Sequence, residues 1–272
     1  MVNLGYKRLR ALGRHYYLSS KNALGLSLEY GVGWVRFIGW LPRVGPKLLS
    51  YRSSNHRVRE TLRENSELRS AGVLVRFINL DRRTDRRQLI EAELIKINQT
   101  NQTNSIRFAA IENDNGSLGC AQSHIGALKS VSDLEGLAYM ICEDDFELVS
   151  APSLFHNVLQ EFLTHPSLDI LCLSYRLRGP KINISPALAI ANNIQTTACY
   201  VVKRHAVKAL IVNFTESERL LSKGVSPSRA SIDIRWKILQ RHKLVFAIPR
   251  QTVARQRPSF SDIVGRYKDY QP

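Results

Sequence analysis

The chain has no Cys-x-x-Cys pair. Its four cysteines, Cys120, Cys142, Cys172 and Cys199, are scattered, and three of them lie in apolar strand-like runs. That pattern gives neither a zinc site nor a disulfide framework, and it predicts buried, reduced thiols in a reducing compartment. Also missing is the uninterrupted apolar run of about 20 residues needed to cross a bilayer. The apolar and aromatic stretch 23–41 is broken by Glu29 and Arg36 and weakened by Gly25, Gly31, Gly33 and Gly39. No short basic start leads into an unbroken apolar core with a cleavage site, so no cleavable signal peptide is expected. Without an export signal, the five Asn-x-Ser/Thr sequons beginning at Asn98, Asn101, Asn115, Asn183 and Asn213 are set aside as glycosylation acceptors. Internal repeats and low-complexity tracts are absent as well.

Acidic residues are in deficit, 23 against 39 Lys and Arg, for a net charge of +16. The imbalance is front-loaded: residues 1–70 hold 13 basic and 4 acidic side chains, +9 of the total. Residues 6–18 mix Lys and Arg with Leu and Tyr at spacings of an amphipathic helix. Such a helix suits an anionic membrane surface, so residues 1–50 are expected either to lie at the interface or to pack as a helical subdomain on the rest. Residues 51–72 read as a polar linker helix. The expected organisation is therefore a basic extension over 1–70 and a catalytic domain over 71–272, placed in the cytoplasm at the inner face of the membrane. A chain this basic also raises nucleic-acid binding. Against it, most of the excess charge lies outside the motif-bearing region and no zinc-finger or RNA-recognition signature is present; no nucleic-acid partner is expected.

The motifs lie downstream. Residues 137–142 are an apolar run that ends in Glu143-Asp144-Asp145. Three consecutive carboxylates repel one another unless a cation or hydrogen bonds absorb the charge, and strand ends are where α/β sheets place clefts. Two readings follow: a hard divalent ion, Mn²⁺ or Mg²⁺, bridging to substrate phosphates, or a solvated acidic turn. Upstream, the β-branched run 73–80 precedes a charged turn holding Asp81, Arg82, Arg83, Asp85, Arg86 and Arg87 and then a helix-like stretch. Guanidinium groups at a strand's C-terminal end suit a diphosphate, although some of the four would only solvate the first helical turn. Between the two strands, Gly116 and Gly119 open a helical pattern with Leu118, Ala121, Ile125 and Leu128 on one stripe. Ser123 and His124 flank that stripe, and His124 reads as a structural hydrogen-bonding group or as a catalyst. Strands alternating with helices across the region predict an α/β sandwich.

Taken in order, Ile78-Asn79-Leu80-Asp81-Arg82-Arg83 with Asp85-Arg86-Arg87, then Gly119-Cys120 with Ser123-His124, then Glu143-Asp144-Asp145, resemble glycosyltransferase family 25. That family includes bacterial lipooligosaccharide galactosyltransferases and the hydroxylysine galactosyltransferase domains that modify collagen. Thr196-Thr197-Ala198-Cys199-Tyr200-Val201-Val202 and a C-terminal Gln256 followed by Ser261-Asp262-Ile263 are similar too, so the likeness spans about 73–263. The resemblance implies a GT-A-like nucleotide-sugar transferase sandwich, acting with inversion. It implies that Asp145 is the direct metal ligand, with Glu143 at the other acidic end of a DxD-like element and Asp144 or Glu143 contacting the donor ribose or holding the site. Asn79, Asp81, Arg82, Arg83, Arg86, Ser123, His124 and Gln256 would border the donor.

Displacing a nucleotide diphosphate calls for charge stabilisation and for a base on the acceptor hydroxyl. Asp233 is the candidate base; its other reading is an acid in the first turn of a helix running to about His242. Trp236 would stack on a sugar or fill the core. The expected reaction moves galactose or a related hexose from a UDP-sugar to a saccharide acceptor, lipid-linked or on another cell-surface glycan. The competing readings are a basic nucleic-acid-binding protein and a non-catalytic binding module of the same fold.

Overall fold

The computed structural model describes residues 72–97, 105–261 and 266–269. The readings made for the 1–70 extension, and for Asp262 and Ile263, lie outside those residues. No helix among the described residues is long and apolar enough to cross a membrane.

In chain order the strands are β1 (Val73–Asn79), β2 (Ser105–Ala109), β3 (Ala138–Glu143), β4 (Phe146–Leu148), β5 (Ile170–Leu177), β6 (Lys181–Asn183), β7 (Leu188–Ala191), β8 (Ile194–Lys203), β9 (Phe246–Pro249), β10 (Ala254–Gln256), β11 (Ser259–Ser261) and β12 (Arg266–Lys268). The helices are α1 (Thr84–Ile97), α2 (Gly116–Ser132), α3 (Pro152–Thr164), α4 (Arg204–Ser222), α5 (Pro227–Ala230), α6 (Ile232–Arg235) and α7 (Lys237–His242). Eight strands form one mixed sheet in the order β2-β1-β3-β8-β5-β9-β7-β6. β1 runs parallel to β2 and β3, whereas β8 lies antiparallel to both β3 and β5.

The sandwich follows from strands that are apolar on both faces. On β3, Ala138, Met140 and Cys142 point to one side, where they meet Ile90 and Leu94 of α1 and Phe155, Val158 and Phe162 of α3. Tyr139 and Ile141 point to the other, among Ala121, Ile125 and Leu128 of α2 and Leu210 and Phe214 of α4. The period of two along a strand, applied to a run with no polar member, demands cover on both sides, and the helices supply it. The α/β sandwich expected from the sequence is thus the observed architecture.

Local chemistry places the segments that carry the motifs. Asn115 caps α2, its Oδ1 accepting from the Leu118 backbone N–H at 3.3 Å. Gly119 lets the preceding loop touch the helix, since a Cβ there would sit 2.6 Å from the Ile111 carbonyl oxygen. Past the sheet, β10 pairs antiparallel with the short β4, setting Gln256 opposite Phe146. That hairpin-like return folds the C-terminal segment back over the acidic triplet. The helix expected over 233–242 is divided into α6 and α7 at Trp236, whose indole is fully buried and donates from Nε1 to the Ile194 carbonyl at 2.9 Å. Trp236 packs edge-on to Tyr200 and Phe246, so its core reading is the observed one.

Candidate active site

The C-terminal ends of β1 and β3 lie side by side, with Ile78 in register with Glu143, and the N-terminal half of antiparallel β8 completes the edge. The acidic triplet is therefore at the mouth of the sheet. It is not a solvated turn: Asp144 and Asp145 are buried, at 7% and 6% exposure.

Asp144 is clamped from two sides. Asn79 Nδ2 donates to its Oδ2 at 2.8 Å, and Arg86 Nη1 donates to its Oδ1 at 2.8 Å. Asn79 is itself fixed, giving a second bond to the Arg83 carbonyl and accepting at Oδ1 from Arg107. Arg86, the buried member of the arginine turn, uses Nη2 to reach the Ser259 hydroxyl and the Phe260 carbonyl, each at 2.6 Å. Burial raises the Asp144 carboxyl above its ordinary range, against the opposing pull of Arg86 and Asn79.

Asp145 accepts from Gln256 Nε2 at 2.9 Å through Oδ2, while its Oδ1 is buried with no hydrogen-bond partner. Burial first, then the charge of Glu143, push this carboxyl up to about 7. Glu143 is half-buried and accepts at Oε1 from Thr197 Oγ1 at 3.0 Å, with His124 Nε2 at 3.3 Å. Burial opposes its ionisation, but the bond and charge of His124, helped by Thr197 and Arg86, outweigh that and hold the carboxyl below its ordinary value. The orphaned, buried Oδ1 of Asp145 is a polar atom that a hard divalent cation such as Mn²⁺ or Mg²⁺ would satisfy.

The other expected residues fall into three groups. Ser123 is buried, with its hydroxyl donating to the Gly119 carbonyl at 2.7 Å and accepting from the Ile111 N–H at 2.8 Å, which locks the loop onto α2. Asp81 and Arg82 stand at the outer rim, held by Arg107 and Glu112, and the half-buried Arg83 pairs with Asp85. Asp233 sits in the first turn of α6 and accepts from the Thr196 backbone N–H at 3.4 Å. Burial raises its carboxyl, Lys237 opposing.

Sequence reasoning assigned no role to Thr196, Thr197 or Tyr200, although all three fall in one of the quoted segments. Thr197 holds Glu143. Thr196 joins two parts of the site: its N–H meets Asp233 and its Oγ1 donates to Gln256 Oε1 at 3.1 Å. It does so with φ at 73°, in the left-handed region that a β-branched residue avoids. Tyr200 places its hydroxyl 3.2 Å from His124 Nδ1 and stacks on that ring. The available signal was a Thr-Thr pair heading an otherwise apolar strand. A pocket lined by Tyr175, Arg176, Thr196, Arg255 and Gln256 opens beside this edge.

All four cysteines are free thiols. Cys142 and Cys199 face each other across β3 and β8 with their sulfurs 3.1 Å apart. Cys120, on α2, is half-buried; burial and then the charge of Glu143 push its thiol well above the ordinary value.

No protein-family model matches the chain, and no curated protein sequence matches it. Among solved structures the chain is similar to a glycosyltransferase involved in the glycosylation of the major capsid of PBCV-1. The two share 9% identity over 64% of this chain and 91% of the other, with a TM-score of 0.37. It is also similar to mannose-1-phosphate geranyltransferase from Thermus thermophilus, at 8% identity over 72% of this chain and 75% of the other, again with a TM-score of 0.37.

Proposed function

We propose that the chain is a metal-dependent glycosyltransferase that moves a hexose, galactose or a near relative, from a UDP-sugar to a saccharide acceptor, with inversion. The observation that supports it most is Asp145, whose Oδ1 is buried and unpartnered while both oxygens of Asp144 and Oε1 of Glu143 are hydrogen-bonded. Asp145 and Glu143 would hold Mn²⁺ or Mg²⁺. When bound, the ion would neutralise charge growing on the departing diphosphate.

The chain's own residues divide the remaining work. Asp144 has both oxygens committed to Asn79 and Arg86, so its part is to fix the triplet's geometry. Arg82, with about half of its side chain exposed at the rim, is the arginine of the predicted donor set best placed to meet the donor phosphates. Gln256 orients Asp145 through a C-terminal segment that Arg86 ties down, and a segment so placed would shield the donor from water. Asp233 would take the proton of the attacking hydroxyl, and a carboxyl raised by burial is better matched to that task near neutral pH than an exposed one. The basic 1–70 extension would bring the enzyme to an anionic membrane carrying a lipid-linked acceptor such as lipooligosaccharide.

The test is UDP release from a panel of UDP-sugars with Mn²⁺, comparing the parent with Asp145→Ala and with a chelator present. Metal-dependent release that disappears in the variant supports the reading. A panel without turnover, or a variant equal to the parent, would overturn it.

A further inference from the structure

Cys120 and His124 are four residues apart on α2, so their side chains leave the helix on one face, a turn apart. Glu143 meets them from the end of β3. The Cys120 sulfur, a ring nitrogen of His124 and a Glu143 carboxylate oxygen all lie within 4.8 Å of one another. His124 Nε2 and Glu143 Oε1 are 3.3 Å apart. That is about the spacing of two ligand atoms around tetrahedral zinc, whose bonds to nitrogen and oxygen are about 2.0–2.2 Å. Behind the ring, the Tyr200 hydroxyl at 3.2 Å can accept from Nδ1–H, the outer partner that fixes a metal-binding imidazole with its other nitrogen forward.

We propose that Cys120, His124 and Glu143 form a three-ligand site for a borderline-soft divalent cation of the zinc class, sharing Glu143 with the hard-cation site centred on Asp145. The donor set decides the class: a thiolate discriminates against Mg²⁺ and Mn²⁺, while sulfur, imidazole and carboxylate together suit zinc or cobalt. Spacing rules for paired cysteines miss such a site because its one sulfur is joined by a histidine on the same helix and an acid from a strand. Three protein ligands leave the fourth position open, and the way in is not sealed, since the Glu143 side chain keeps 20% exposure and Cys120 is half-buried. On binding, a metal–sulfur bond forms and the thiol proton leaves to solvent, while the imidazole coordinates as the neutral ring. Glu143 stands between the two sites. If the sugar-transfer reading holds, a zinc-class ion draws this carboxylate away from Thr197 and acts against the hard-cation centre.

The full chain, with its thiols kept reduced by a phosphine, would be titrated with Co²⁺ and read in the near ultraviolet. The expected result is a thiolate-to-cobalt charge-transfer band at one equivalent, abolished in Cys120→Ser and retained in Asp145→Asn. Mn²⁺ binding, followed by electron paramagnetic resonance, should show the reverse: kept in Cys120→Ser, which also reports that this variant is folded, and lost in Asp145→Asn. No band in the parent, or a band that survives Cys120→Ser, overturns the site. A band lost in both variants overturns its independence of Asp145. Absence of Mn²⁺ binding by the parent counts against the glycosyltransferase reading and leaves the cobalt result standing.

Discussion

Gln256 lies 111 residues beyond Asp145 in the chain and donates to its Oδ2 at 2.9 Å, while its own Oε1 accepts from Thr196. The amide is therefore fixed in orientation at both ends, and it leaves Oδ1 of Asp145 as the free atom.

From that arrangement Gln256→Leu should weaken Mn²⁺ binding and slow UDP release by roughly 10–100-fold, the usual cost of losing a partner that orients a metal ligand. Asp145 would remain, so excess Mn²⁺ should recover part of the rate, whereas Asp145→Ala should not respond. A Mn²⁺ titration of initial rates separates the two.

The buried pair of Arg86 and Asp144, with side-chain exposures of 11% and 9%, predicts a stability effect. Arg86→Met leaves the Asp144 charge with Asn79 alone and should cost about 3–5 kcal/mol in urea unfolding. The double variant Arg86→Met/Asp144→Leu should recover much of that loss, because no uncompensated charge stays in the site. Equal losses in the single and double variants would show that the bonds from Arg86 to Ser259 and Phe260, and not the ion pair, carry the effect.

Gly119 and Gly126 both sit on α2 against close neighbours of different kinds. A Cβ at Gly119 meets the Ile111 carbonyl oxygen at 2.6 Å, and one at Gly126 meets Phe108 Cζ at 2.3 Å. The first neighbour is backbone, tied to Ser123; the second is the far end of a ring that can turn aside. Gly119→Ala should therefore destabilise by about 1–3 kcal/mol, with Gly126→Ala the milder of the two despite its shorter contact. Thermal unfolding of both variants checks the order.

His165 is buried, and burial, then the charge of Lys203, lower its pKa from 6.5 to about 4. Between those two values the unfolded chain takes up a proton that the folded chain refuses. Stability should thus fall as pH drops from about 6.5 towards 4 on account of this side chain. His165→Gln keeps an acceptor for the Ser167 N–H, which now donates to Nδ1 at 3.3 Å, and removes the titration. Its urea midpoint should decline less steeply over that pH window than the parent's.

What the sequence made legible were features with a strong local signal. The alternation-free apolar runs ending at Asn79 and Glu143 are buried strands, and the stripe through Ala121, Ile125 and Leu128 packs on the sheet as its spacing implied. The carboxylate cluster was visible as a triplet. The division of labour inside it was not, because that depends on partners brought from Asn79, Arg86, Thr197 and Gln256 by the sheet order and by the return of β10 onto β4. The break at Trp236 was equally hidden: its indole N–H is drawn to the Ile194 carbonyl, a tertiary bond that periodicity does not encode. Thr196 carried no sign of its unusual backbone, since nothing about a threonine at the start of a strand suggests φ at 73°.

That strain supplies the last prediction. Holding a β-branched residue in the left-handed region costs on the order of 1–3 kcal/mol, and the bonds from Thr196 to Asp233 and Gln256 keep it there. Thr196→Ala removes the hydroxyl and leaves a Cβ in the strained conformation. Thr196→Gly removes the hydroxyl and the strain together, so it should be the more stable of the two variants by about 1 kcal/mol. If Thr196 serves the reaction by linking Gln256 to Asp233, both variants should lose UDP release to a similar extent despite that difference. Thr196→Ser, which keeps the hydroxyl, should retain most of it. Rates that instead followed stability across the series would make Thr196 a structural residue only.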